Sequence, residues 1–278
     1  MTRTAAVALW VLAALVVALF DSDPVARAVV LAGAWALLAR RQVTGRRLRT
    51  LAVGLGVLAL FTTTLNGLLS HTGATVIGVL PSWLPLVGGP VTAEAFANGG
   101  SIALGLIAAI SVTAVLSVVI EPTDLVDALP GPLHHAGAAL GAALNLVPAT
   151  AASFVAVRDA QRLRGWRPRG ARALVDLAVP VLLGAIDRSV QLAESMEARA
   201  FGAGPRTRLA GGERSARLTA LALAALLVLV VAVVAYALGE TGSWYAYPLP
   251  TVPSLAPAVL VPAVVIALAG ALLPSEPA

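Results

Sequence analysis

The side chains in this sequence that could do chemistry are few. Its three histidines are His71, His134 and His135. None stands in an H-E-x-x-H or other ligand-spaced pattern, and an adjacent pair on a helix points in different directions. They read as interfacial polar residues rather than metal ligands. There is no cysteine, which excludes disulfides, thiolate catalysis and cysteine metal sites. Asn66, Asn145, Ser111, Thr113 and Ser117 fall inside apolar runs. They are isolated, whereas an intramembrane protease or lipid transferase needs polar groups that converge, and Ser and Thr inside membranes commonly serve helix packing. What remains is arginine beside glycine. "RDAQRLRGWRPRG" at 158–170 contains Gln161, Arg162, Arg164 and Gly165, and "LAESMEARAFG" at 192–202 contains Glu194, Glu197, Ala198, Arg199, Ala200, Phe201 and Gly202. A guanidinium is a rigid fork that grips a carboxylate with two parallel hydrogen bonds, and small neighbours such as Ala198 and Ala200 let a partner surface come close. The chemistry on offer is therefore recognition. Arginine near a helix C-terminus is also favoured by the macrodipole, by about 0.3–1 kcal/mol, and an adjacent glycine lets the chain leave the helix in the left-handed conformation. The residues alone leave docking and capping both standing.

The elements that must position these arginines follow from composition. The 278 residues are 59% hydrophobic and 12% charged, against about 25% charged in soluble domains. Runs without charge occur at 5–20, 50–69, 99–120, 218–238 and 251–275, and most approach the roughly 20 residues that cross a bilayer core as a helix. The long continuous runs exclude a β-barrel, whose segments alternate over about ten residues. The expected fold is an all-α integral membrane protein with about six transmembrane helices plus cytoplasmic-side coupling helices. Residues 1–20 read as a retained first span, because "DSDP" after them offers no small-x-small cleavage site. A second span is expected at about 25–39, with Arg27 near its end snorkelling to the headgroups.

All 19 basic residues are arginines, and the net charge is +5. Their distribution argues against nucleic acid as a partner. They gather at 40–49 and in a dozen positions from 158 to 217, while 70–99 and 239–254 have none. The positive-inside rule then makes 40–49 and the whole 121–217 region cytoplasmic, with both termini inside. Hydropathy alone would make 136–157 a span, but Asn145 and Pro148 sit in its middle. Were it and the short apolar 173–186 both to cross, the arginine-rich loop between them would lie outside. Two long helices in or under the cytoplasmic interface satisfy the charge rule better. Three regions result: N-terminal spans at 1–120, a coupling module at 121–216 opened by the short acidic helix "EPTDLVDALPGP", and C-terminal spans at 217–278.

The pair "AQRLRG" and "DRSVQLAESMEARAFG" resembles the Ala-Arg-Gly or Ala-Arg-x motifs of the T component of energy-coupling factor (ECF) transporters, the family that includes the membrane subunit of cobalt importers. "LNGLLSHTG" at 65–73 and "VTAEAFANGG" at 91–100 resemble that family's Asn-x-Leu-x-x-His-x-Gly and Thr-x-Glu segments, "EPTDLVDAL" its acidic segment, and "LVPATAASF" its proline-containing coupling helix. The chain departs from the pattern with Leu163 where alanine is usual, and with Gly105 where the fourth span commonly carries arginine. The resemblance implies a non-catalytic subunit in the plasma membrane of a prokaryote. Its implied partners are two ABC-type ATPase subunits and a small substrate-capturing S component that takes up a vitamin or transition-metal ion. ATP and Mg would be bound by the ATPases, and no cofactor by this chain. It also implies that Arg164 and Arg199 insert into grooves on the two ATPases, with Gly165, Ala198 and Ala200 at the contact and Gln161, Arg162, Glu194, Glu197, Phe201 and Gly202 in support. No Walker motif is present, since "GPLHHAGAAL" and "GLGVLAL" lack the Gly-Lys-Ser/Thr ending. The alternatives, an intramembrane enzyme or a self-contained secondary carrier, lack a polar constellation and an internal repeat respectively.

The charge distribution generates a topological prediction. A reporter fused after Gly165 is expected to read cytoplasmic and one near Leu86 extracytoplasmic. Opposite readings at either site would overturn the membrane assignment.

Overall fold

The computed structural model describes residues 3–41, 43–81, 83, 87–121, 124, 126, 134–167, 172–200, 216–239, 244–253 and 257–273. It is an all-α membrane protein with one small hairpin. Among the described residues the α-helices are α1 (Arg3–Phe20), α2 (Pro24–Arg40), α3 (Gly45–Leu69), α4 (Ala93–Val119), α5 (His134–Leu163), α6 (Arg172–Ala198), α7 (Ala216–Ala237) and α8 (Pro257–Ala269). A 3₁₀ turn, Gly270–Leu272, extends α8, and strands β1 (Val76–Leu80) and β2 (Gly89–Thr92) pair antiparallel between α3 and α4. The all-α expectation does not include this hairpin, which lies in the arginine-free segment 70–99. Among the described residues five helical segments are long and apolar enough to cross a membrane: Arg3–Phe20, Gly45–Leu69, Ala93–Val119, Ala139–Leu163 and Ala216–Ala237.

The chain divides into two compact units, one made of Met1–Glu121 with Gly212–Ala278 and the other of Pro122–Gly211. In the first, α1 is buried by small side chains. Ala6, Ala13, Ala14 and Ala18 lose all exposure, which lets neighbouring backbones approach as closely as membrane packing requires. Trp10, also buried, satisfies its indole N–H on the carbonyl of Ile266 in α8 at 2.8 Å. Helix α2 starts where Asp23 caps it, accepting from the Val25 amide at 2.9 Å, with Pro24 in the first turn. Helix α8 is shorter than the charge-free run 251–275, because Pro257 stands at its first position and Pro262 interrupts its ladder. One end of this unit is basic. Arg3 reaches the Val119 carbonyl at the end of α4, and the Arg41 guanidinium is held below its usual range by burial and by repulsion from Arg3 and Arg40.

Arg27, expected from the sequence to reach toward the headgroups, has a protein partner in α4. Its Nη1 donates to the carbonyl and the hydroxyl oxygen of Ser101 in α4, at 2.7 and 2.9 Å. The reason lies at Gly105. A Cβ there would stand 3.1 Å from the Arg27 Nε and 3.2 Å from its Cζ. The missing side chain at Gly105 on α4 leaves the space into which α2 sends Arg27. In the turn before α2, burial pushes the Asp21 carboxyl above its ordinary range, opposed by the hydrogen bond it accepts from the Asp23 amide.

The two segments "LNGLLSHTG" and "VTAEAFANGG" meet where α3 packs on α4. A Cβ at Gly67 would strike the Phe96 ring, and one at Gly99 would stand 2.8 Å from the Asn66 Cβ and 3.0 Å from the Thr63 backbone. Glu94, fully buried in the first turn of α4, accepts from the Thr75 amide at 3.0 Å, and Thr92 donates to the Thr72 carbonyl at 2.7 Å. Gly73, at φ +141, passes so close to Glu94 that no side chain fits. The opposite side of α3 carries Val53, Val57, Leu60, Phe61 and Leu65 exposed, a surface suited to lipid.

Adjacent glycines on α4 provide the test. Gly99→Ala is expected to lower stability by about 1–3 kcal/mol, as overpacking does. At Gly100, where a Cβ meets nothing within 4 Å, the same change is expected to raise stability by about 0.5–1 kcal/mol through helix propensity. Thermal unfolding of the two purified variants checks this, and shifts of equal sign would refute the packing.

Candidate functional site: two helix tips

The second unit holds α5 and α6, 30 and 27 residues long, which pack on each other along an apolar seam that buries Leu177 and Val181. Each carries an interior proline, Pro148 in α5 and Pro180 in α6. Proline lacks an N–H, so each helix loses one rung of its ladder there. Beside the first of these interruptions Arg188 of α6 donates from Nη1 to the Ala149 carbonyl at 3.2 Å, while its Nε holds the Gly184 carbonyl one turn back at 2.9 Å. A second tie joins the exit of α5 to the start of α6, where the Trp166 indole N–H donates to the Asp176 carboxylate at 3.1 Å. Sequence reasoning missed Arg188, Trp166 and Asp176. The only signal was spacing, since Gly184 and Arg188 lie four apart on one helical face.

The end of α5 is a Schellman cap. The Trp166 amide donates to the Gln161 carbonyl at 2.9 Å and the Gly165 amide to the Arg162 carbonyl at 3.0 Å, with Gly165 at φ +81. Arg164 therefore occupies the last half-helical position, directly before the left-handed residue. Helix α6 repeats the inner of these two bonds and the left-handed residue. The Ala200 amide donates to the Glu197 carbonyl at 2.8 Å, and Ala200 sits at φ 53. At this end the residue shown in the left-handed conformation is Ala200, not a glycine. Phe201 and Gly202 lie outside the described residues. An alanine Cβ crowds the following carbonyl in this conformation, at roughly 1–2 kcal/mol. Superposing the caps by their left-handed residues aligns Arg164 with Arg199, Leu163 with Ala198, and Arg162 with Glu197.

The tips present themselves to solvent. Arg162, Arg164, Glu194, Glu197, Ala198, Arg199 and Ala200 are exposed, and Gln161 is partly so. Leu163 is 91% exposed, an apolar side chain with nothing to cover it. Among the described residues the side chains of Arg164 and Arg199 make no hydrogen bond or ion pair. A capping arginine would fold back onto the last carbonyls of its own helix, and neither does so. The exposed Arg158–Asp159 pair at 3.2 Å is of the kind that contributes about 0–1 kcal/mol. Of the opening acidic segment only Glu121, Asp124 and Val126 are described, so its short helix lies outside the described residues.

The residues an intramembrane enzyme would use are not brought together. Ser111, Thr113 and Ser117 donate to carbonyls of their own helix, those of Ile107, Ala109 and Ala114. Asn66 accepts weakly from Asn98 at 3.5 Å, and Asn145 is exposed on α5. His71 meets the Pro90 carbonyl at 3.2 Å, and His134 and His135 begin α5. Among the described residues no three His, Asp or Glu gather into a metal-holding group.

The two caps differ in how well they suit their backbone, which gives opposite expectations for reciprocal changes. Ala200→Gly is expected to stabilise the end of α6 by about 1 kcal/mol, and Gly165→Ala to destabilise the end of α5 by a similar amount. Hydrogen exchange of the amides of Ala200 and Gly165 reads this as about fivefold slowing and quickening. Indifference of both amides would mean that the left-handed positions are not held.

A family model described as CbiQ, cobalt transport protein, matches residues 3–209. No curated protein matches the chain. The matched span takes in α1 to α6, the arginine tips and both α3–α4 segments, and it covers well over half of the 278 residues. The chain is therefore a multi-pass membrane protein of transport, and it belongs to the CbiQ cobalt transport protein family, that of the ECF T components.

Proposed function

We propose that this chain is the coupling subunit of an energy-coupling factor importer. It carries ATP-driven motion of two cytoplasmic ATPase subunits to a small membrane subunit that captures a vitamin or transition-metal ion. The observation that carries the reading is the repeated tip, in which two helices end in matching left-handed caps that each hold out an exposed arginine. A fork-shaped cation with no partner among the described residues fits a carboxylate-lined groove on another chain. Arg164 and Arg199 are assigned to two such grooves. Gly165 and Ala200 set the angle of approach, and Leu163, Ala198 and Ala200 form the close contact. ATP and Mg belong to the ATPases.

The flanks of α5 and α6 supply the other half of the device. Leu140, Val147, Phe154 and Val155 on α5 and Val179, Leu182, Leu183, Ile186 and Val190 on α6 stay exposed. That much apolar surface needs a membrane or a membrane-protein partner. In this reading the pair lies at the cytoplasmic interface with its apolar flanks toward the substrate-capturing subunit. The length and hydropathy of Ala139–Leu163 would also suit a span, but crossing would separate the arginine-rich 158–172 segment from the cytoplasmic charge. Arg188 would keep the two helices moving together when the tips are displaced.

The test separates docking from capping. Arg199→Lys preserves charge near the helix end and, for a cap, changes stability by only about 0.3–1 kcal/mol. For a docked fork it loses the bidentate contact and weakens ATPase association. Arg164→Glu combined with Arg199→Glu is expected to abolish ATPase pull-down and substrate uptake while leaving membrane insertion normal, and the single changes are expected to be milder. Undiminished uptake by the double reversal would sink the coupling role, and loss of the protein from the membrane would make both arginines structural.

A further inference from the structure

The strands between α3 and α4 form an exposed apolar ribbon, and neither the family assignment nor the coupling reading gives it a task. From Thr50 through Ala93 the sequence holds no Asp, Glu, Lys or Arg. Within that stretch Val76, Ile77 and Val79 of β1 are 53%, 66% and 75% exposed, and Trp83 in the connection is 77% exposed. Ile77 is the extra residue of a bulge, since Val76 pairs with Thr92 and Gly78 with Val91. The bulge displaces the apolar side chains from strict alternation and leaves the strand without a polar face.

The ribbon is held firmly at its base. Thr75 donates its amide to the Glu94 carboxylate, the Ala93 amide bonds the Thr75 carbonyl at 3.0 Å, and the His71 ring meets the Pro90 carbonyl. On the other side the Ala74 amide donates to the Pro248 carbonyl at 3.2 Å, and the Ser70 hydroxyl bonds Tyr247 at 2.9 Å. A segment anchored by five such contacts presents its apolar side chains in a fixed place. Water suits it poorly, because nothing charged accompanies them. The hydrocarbon core is excluded too, since a two-stranded ribbon has unpaired N–H and C=O groups along both outer edges and lipid tails offer them no partner. The headgroup level meets both demands, with water for the edges and acyl chains for the side chains. It is also where tryptophan concentrates. The ribbon follows directly on Leu69, the last residue of α3, whose exposed Phe61, Leu65 and Leu69 continue the apolar surface to its base.

We propose that β1 and Trp83 insert into the headgroup and upper acyl region of the leaflet at the end of α3 opposite Arg46, Arg47 and Arg49, so that the hairpin is a lipid-seated anchor for the α3–α4 pair. The ligand class is the bilayer itself. The proposal does not depend on ATPase coupling, and its test reads the position of the hairpin without asking for transport.

The absence of cysteine makes a single introduced thiol a unique reporter. Val79→Cys and, as a second variant, Ile77→Cys are spin-labelled in the full chain in phospholipid nanodiscs. Collision with oxygen, which concentrates among acyl chains, is compared with collision with a neutral nickel chelate, which stays in water. Val57→Cys on the lipid-facing side of α3 and Asp159→Cys near the α5 tip mark the two extremes. Both hairpin labels are expected to favour oxygen several-fold over the Asp159→Cys label, at a depth shallower than the Val57→Cys label. Nickel-dominated collision at both hairpin sites would place the ribbon in water and overturn the proposal. Low collision with both reagents would show that protein covers the ribbon, and would overturn it equally.

Discussion

A backbone amide in hydrocarbon has no water to fall back on, and the rest of this molecule follows from that constraint. It makes the spans helical, and it makes the close approaches glycine and alanine, because helices that cannot be driven together by expelling water must be held by contact. Gly99 against Thr63 and Gly67 against Phe96 are such contacts. The constraint also directs Arg27. Its guanidinium, unable to stand bare in the bundle, takes both oxygens of Ser101 and fills the room left by Gly105. The polar side chains within α4 meet the same demand locally, with Ser111 and Thr113 donating to carbonyls of their own helix.

Much of this was legible in the sequence, for reasons specific to particular residues. Charge-free runs mark α1, α3, α4 and α7, since nothing but lipid explains twenty apolar residues together. The arginine before a left-handed exit was visible as "LRG" at 163–165. At the end of α6 the left-handed residue is Ala200, which sequence rules do not single out because they favour glycine there by roughly 1–2 kcal/mol. The charge-free run 251–275 does not mark the bounds of α8, because hydropathy registers Pro257 and Pro262 as apolar and is blind to their missing amides. The hairpin escaped notice because β1 has no alternation to detect: Val76, Ile77, Val79 and Leu80 are apolar on both sides of the ribbon. Long-range pairs were least accessible. Nothing in the order of residues joins Arg188 to Ala149 or Arg27 to Ser101, since each depends on which helix lies beside which.

The interior prolines bear on how motion passes through α5 and α6. A helix with a missing rung bends more readily at that point than elsewhere. Pro148 lies next to Ala149, whose carbonyl receives Arg188. The softest place on α5 is thus the place where α6 holds it, and a displacement arriving at a tip would meet a clasped joint rather than a rigid rod.

The two tips share a backbone geometry but not a charge. Where α5 places Arg162, α6 places Glu197, while Asp159 and Glu194 match one turn earlier. A plug with two prongs of equal shape and unlike polarity is keyed. Offered two identical sockets it has no orientation to choose, and each socket must tolerate both the Arg162 prong and the Glu197 prong. Offered two different sockets, it can tell left from right by electrostatics alone, so a single chain without internal symmetry would fix which ATPase sits on which side of the assembly.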